Sequence, residues 1–211
     1  MKLLLTSGGV RNPSIAAALA DLVGKPASEV KVAYIPTAAN AEEGNKDWFI
    51  NQFLCFWRYG YSWIDVVDPS ASDVDWRARL EYVDVIFVSG GNTFHLLNQY
   101  RQTGFGQWLT DNLETKVYVG VSAGTIVTAP SIDVAAIEPA DRNSLNLKDL
   151  TGLGWVDFEI EPHCVGDRFA IIESYAKDRS HPVYAIDDNT AIKVVDDKIE
   201  VVSEGAWERY E

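Results

Sequence analysis

Cysteine, histidine and basic residues are all scarce in this 211-residue chain, and each shortage narrows what it can do. Two cysteines, Cys55 and Cys164, form neither a disulfide framework nor a spaced metal motif, and they favour a reducing, cytoplasmic setting. Lys and Arg number 18 against 31 Asp and Glu, a net charge of −13 that argues against nucleic acid or an anionic membrane as partner. No apolar run approaches the roughly 18 residues of a membrane span. The opening "MKLLLTSGGV" reads as a first strand rather than a signal segment. The dinucleotide fingerprint G-x-G-x-x-G and the phosphate loop G-K-S/T are both missing, and neither cofactor nor metal is expected. Repeats, low-complexity tracts and linkers are also lacking, which leaves a single domain over residues 1–211 as the expectation.

What the chain does have is short apolar runs separated by helical patterns. Strands are expected at 2–7, 30–36, 62–67, 83–89 and 116–121. Apolar residues at three-to-four spacing in 13–24 and 45–60 fit crossover helices, with Pro13 where a first helical turn tolerates proline. The pattern predicts an α/β fold, a mostly parallel sheet with helices on both faces. Residues 129–149 read as a long loop, 155–163 as a strand ending at His163, 167–178 as a helix, and 182–203 as short strands with a turn at Asp196-Asp197.

The chemistry concentrates in "VYVGVSAGTIVTA" (117–129), where Gly120-Val121-Ser122-Ala123-Gly124 follows a strand and opens a helix. Such a corner pushes a serine Oγ into the open and points the next amide, that of Ala123, at an oxyanion forming on a substrate carbonyl. A serine nucleophile needs a base. Of three histidines, His95 falls at a helix start and His181 in a polar turn, so His163, at a strand end, is the candidate. Cys164 is expected to be a buried structural thiol. The acids between Ser122 and His163 include Asp133, Glu138, Asp141 and Glu161, and position alone does not choose among them. A second corner, Ser89-Gly90-Gly91-Asn92, also ends a strand and starts a helix. If the two strands are neighbours, the Gly91 amide completes an oxyanion hole with Ala123, and Asn92 serves as helix cap and candidate substrate contact.

Taken together, "SGGNTFHLL", "GVSAG", "PH" and "DDNTA" resemble the peptidase E family of aspartyl dipeptidases, related to cyanophycinases, over nearly the whole chain. The resemblance implies a flavodoxin-like fold similar to class I glutamine amidotransferases, with serine in place of cysteine. It implies an exopeptidase acting on small peptides with an N-terminal aspartate; a cytoplasmic monomer or homodimer is expected. It points to Ser122 as nucleophile, His163 as base, Gly91 and Ala123 as oxyanion donors, and Glu138 as the third member with Asp133 in reserve. Arg168 is then a candidate grip for a substrate carboxylate, and Asp187 and Asp188 for a substrate amino group. Alternatives are a cyanophycinase-like hydrolase of β-aspartyl-arginine units and a homologue that binds without catalysing. An α/β-hydrolase esterase is disfavoured by the lack of an HGGG-like segment.

Overall fold

A computed structural model describes residues 1–211. In chain order the strands are β1 (Lys2–Thr6), β2 (Lys31–Ile35), β3 (Trp63–Val66), β4 (Val85–Val88), β5 (Val117–Val121), β6 (Glu159–Glu161), β7 (Val183–Ile186), β8 (Thr190–Val195), β9 (Lys198–Ser203) and β10 (Trp207–Tyr210). The α-helices are α1 (Pro13–Val23), α2 (Thr37–Asn40), α3 (Asp47–Arg58), α4 (Trp76–Leu80), α5 (Thr93–Thr103), α6 (Phe105–Asn112), α7 (Ala123–Ile126) and α8 (Arg168–Ala176). Seven strands form the main sheet in the order β3-β2-β4-β5-β1-β8-β9. The first five are mutually parallel, and β8 and β9 close the edge as an antiparallel hairpin.

Alternation along the strands sends side chains to two cores. Leu3, Leu5, Ile86, Val88 and Tyr118 enter a cluster of 37 buried residues, and Leu4, Val85, Phe87, Val117 and Val119 a cluster of 18 on the other face. A sheet buried on both sides is what near-continuous apolar strands such as "VIFV" require. Helix boundaries follow from caps. The Asn12 side chain accepts from the Ile15 amide ahead of Pro13, and Gly24 ends α1 in the left-handed region at φ 71°. The Asn92 side chain accepts from the His95 amide and starts α5 directly after the second glycine corner.

The α/β architecture expected from the sequence is present, with two differences. The strand expected over 155–163 shrinks to the three residues of β6. The amides of Leu153 and Trp155 donate to the carbonyls of Val127 and Thr128, so this stretch pairs with the turn behind α7 instead of a strand. In addition, β6, β7 and β10 make a separate three-stranded sheet in the order β10-β7-β6. Strand order places β5 between β4 and β1, so three parallel strands end side by side: "VSGGN", "GVSAG" and "TSGG". In an open α/β sheet that edge is where ligands bind.

Candidate active site

Ser122 leaves β5 with φ 49° and ψ −109°, a left-handed backbone that a non-glycine residue holds only when its surroundings enforce it. Its amide donates to the Thr6 carbonyl, and its own carbonyl accepts from Thr125 and Ile126. The flanking glycines are there for space. A Cβ on Gly120 would lie 2.5 Å from the Gly124 carbonyl oxygen, and one on Gly124 would lie 2.6 Å from that of Val88. Gly120→Ala is therefore expected to destabilise the fold by about 1–3 kcal/mol, as overpacking does. Denaturant unfolding measures this, and an unchanged midpoint would contradict it.

The Ser122 Oγ bonds to no protein group and faces a cavity of about 590 Å³ that also takes in Gly91 and His163. Of its 14 lining residues only two are hydrophobic, which suits a small polar substrate better than a lipid ester. Gly91 stands at φ 134°, and its amide donates to no protein acceptor. Ala123 is the first residue of α7, so its amide has no intrahelical partner. Because α7 is only four residues long, it offers first-turn amides rather than an extended helix dipole.

His163 follows β6 and Pro162 at φ 60°, and its side chain is 53% exposed. Its backbone amide donates to the Ser7 Oγ at 2.8 Å, which fixes the residue against the end of β1. The ring's Nδ1 lies 2.6 Å from Asp188 Oδ1, leaving Nε2 as the free nitrogen. Asp188 also accepts from the Ser7 hydroxyl at 2.8 Å and, through Oδ2, from Arg11 at 2.6 Å. The imidazole, followed by these two donors, holds the Asp188 carboxyl down to about 2. Ser122 and His163 share the cavity but are not hydrogen-bonded to each other; such contacts often tighten only with substrate bound.

The acid on His163 is therefore Asp188, expected above as a substrate contact, and not Glu138. The Glu138 carboxylate accepts from the Ala140 amide at 3.3 Å, within its own loop. The reserve acids are engaged elsewhere. Asp133 pairs with Arg179 at 2.9 Å, and Glu161 is buried against Arg168. Burial raises the Glu161 carboxyl to about 7. Arg168 is not free to grip a substrate: besides Glu161, its guanidinium donates to the carbonyls of Ile137 and Glu138 and pins that loop.

Asp187 is likewise structural. It accepts from the Asn189 amide, the Thr190 hydroxyl and the Ala206 amide and builds the turn between β7 and β8. Asn92 caps α5 and donates to the Arg142 carbonyl at 3.1 Å, away from the walls of the main cavity. Cys164 is fully buried, and burial pushes its thiol up to about 12, so it is no rival nucleophile.

Sequence reasoning passed over Ser7 and Arg11, which hold Asp188, and Gln52, which lines the cavity; Asp141 it placed only among the acids between Ser122 and His163. The signal for the first two was the pair Gly8-Gly9 in "TSGG", which repeats the glycine corner of "VSGGN". Asp141 accepts from the Thr93 amide at 2.7 Å and lines the cavity next to His163, and burial raises its carboxyl above the ordinary range. The cavity thus carries both signs of charge: Arg11 and Arg58 against Glu42, Asp141 and Asp188.

Comparison with known proteins gives the family and the fold. The sequence model of peptidase family S51 matches residues 3–202. An uncharacterized peptidase of Pasteurella multocida is 34% identical over 170 residues, 77% of this chain and 80% of that protein. Peptidase E of Escherichia coli O9:H4 is 35% identical over 97 residues, 44% of this chain and 39% of that protein. The crystal structure of a candidate peptidase E from Listeria monocytogenes EGD-e superposes with a TM-score of 0.82 at 23% identity, covering 97% of this chain and 98% of that one, a likeness of fold. With a family match that runs from β1 to β9 and takes in both glycine corners, the chain belongs to peptidase family S51, a family of peptide-bond hydrolases.

Proposed function

We propose that the protein is a serine-type dipeptidase acting on small peptides with an N-terminal aspartate. The observation that carries the reading is the imidazole of His163 held at Nδ1 by Asp188, in the cavity onto which the unbonded Ser122 hydroxyl opens. In this reading Ser122 Oγ attacks the peptide carbonyl while Nε2 of His163 takes its proton. The Gly91 and Ala123 amides receive the oxyanion. His163 then protonates the leaving amine, and water hydrolyses the acyl-enzyme by the reverse proton path. Asp188 keeps Nδ1 protonated and stabilises the imidazolium.

Substrate size and charge follow from the walls. A free dipeptide carries a cationic amino group and anionic carboxylates, and the cavity offers partners for each. Asp141, which faces both the Thr93 amide and the cavity, is the group proposed to receive the α-amino group, in place of Asp187 and Asp188. The exposed Arg58 on α3 is proposed for a carboxylate, in place of Arg168.

A dipeptide panel tests the reading. The enzyme is expected to release leucine from Asp-Leu, to leave N-acetyl-Asp-Leu intact, and to turn over β-aspartyl-arginine more slowly. Preference for the β-linked substrate would move it to the cyanophycinase branch. Equal turnover of acetylated and free Asp-Leu would remove the exopeptidase assignment.

A further inference from the structure

Gln52 sits in the middle of α3, is only 8% exposed, and lines the cavity beside Ser122. Beneath it, on β2, the Tyr34 hydroxyl donates to Gln52 Oε1 at 3.2 Å. Tyr34 is locked by its neighbours, with ring centroids 5.1, 5.3 and 4.9 Å from Phe49, Phe53 and Phe87. Burial raises the phenol far above its ordinary range, so the hydroxyl keeps its proton. That proton has no other acceptor here, which fixes the amide's orientation: Oε1 toward Tyr34 and Nε2 away from it.

Nε2 bonds to no protein group. It lies 3.6 Å from the point above Gly90 where a Cβ would stand, and the Ser122 Cβ lies 3.2 Å from that same point. The residue is nearly buried, but Nε2 faces the cavity with neither donor used by the protein, so both are available to a molecule bound there. Because Nε2 can only donate, its partner must be an oxygen acceptor. Nε2 borders the nucleophile, where the substrate residue to be acylated on Ser122 sits in the hydrolase reading.

We propose that Gln52, oriented by Tyr34, determines specificity by donating from Nε2 to the side-chain carboxylate of the substrate's first residue. The inference rests on the hydrolase reading of Ser122. With Nε2 as the discriminating donor, an aspartate or asparagine side chain is held and an alanine is not. A carboxylate is favoured over an amide because the same wall carries the cationic Arg58.

Calorimetric binding of Asp-Leu, Asn-Leu and Ala-Leu to the Ser122→Ala protein tests this without turnover. That protein is expected to prefer Asp-Leu to Ala-Leu. Adding Gln52→Leu is expected to weaken Asp-Leu about ten-fold or more, the range for a hydrogen bond to a charged group, with Ala-Leu within about two-fold. Gln52→Glu keeps the shape and the bond to Tyr34 but places a carboxylate against the ligand, so Asn-Leu should overtake Asp-Leu. This variant carries the test if Gln52→Leu proves unstable in thermal unfolding. Tyr34→Phe, which frees the amide to turn over, should erode the preference for Asp-Leu.

A parent protein without preference for Asp-Leu, an Asp-to-Ala ratio that survives both changes at Gln52, or equal weakening of all three ligands would each overturn the proposal. The hydrolase reading fails separately, if turnover survives Ser122→Ala in the otherwise native enzyme.

Discussion

Replacing Ser122 with alanine is expected to lower kcat for Asp-Leu by roughly four to six orders of magnitude, the scale on which serine hydrolases lose their nucleophile. The fold should hardly notice. The Ser122 Oγ makes no bond to the protein, while the bonds that form the corner come from its backbone: the amide to Thr6, the carbonyl to Thr125 and Ile126. Alanine keeps all of these and meets the same φ of 49° that serine already tolerates. Thermal unfolding midpoints should therefore coincide while release of leucine disappears. A serine-directed fluorophosphonate should label the native protein and not the variant. His163→Ala should cost nearly as much, and combining the two should cost little more than either, because an attacking oxygen and the base that activates it act as one unit. Residual activity within ten-fold of native in Ser122→Ala would end the mechanism.

The corner around Ser122 was legible because its requirements are local. A small residue must sit wherever α7 folds back on β5 and β4, and the chain supplies Gly120 and Gly124 at those points. Four of the five parallel strands, β1, β2, β4 and β5, were legible because strands buried on both faces read as apolar runs, and the exposed edge strand β3 because it keeps β-branched and aromatic residues. Their order was not. Nothing in "TSGG" says that β1 lies beside β5, and without that neighbour Ser7 and Arg11 had no reason to be placed near His163.

The acid was missed for a related reason. The acids expected for that role lie between Ser122 and His163, whereas the carboxylate on the imidazole comes from beyond the histidine, on the turn after β7, which reaches the site because β7 pairs with β6. Even within "DDNTA" the two aspartates diverge. Asp187 turns inward to the amides of Asn189 and Ala206, and Asp188 faces outward to the imidazole, a choice made by tertiary packing. Gln52 falls within the helical pattern of 45–60. Periodicity says that a face is turned inward, but not that its middle opens on a cavity.

The assignment of the acid yields the second large effect. Asp188→Asn preserves the size of the side chain but removes its charge, so it no longer fixes the proton on Nδ1 or stabilises the imidazolium. A loss of roughly three to four orders of magnitude in kcat follows, by analogy with the same change in other Ser-His-Asp enzymes. Glu138→Gln, by contrast, should leave kcat within about two-fold, since the Glu138 carboxylate contacts only the Ala140 amide of its own loop.

The Asp188 carboxylate also predicts how stability depends on acid pH. With its carboxyl held down to about 2, Asp188 binds its proton less readily folded than unfolded. Its contribution to stability is therefore complete above the ordinary carboxylate range of about 4 and is lost as pH falls from there toward 2. Asp188→Asn should flatten the fall in unfolding free energy over that interval. Because Asp188 stays ionised at every pH suitable for assay, it cannot supply the acid limb of the native pH–rate profile. If Glu138→Gln silences the enzyme and Asp188→Asn does not, the carboxylate seen on the imidazole is a bystander, and the loop after α7 must move to deliver another.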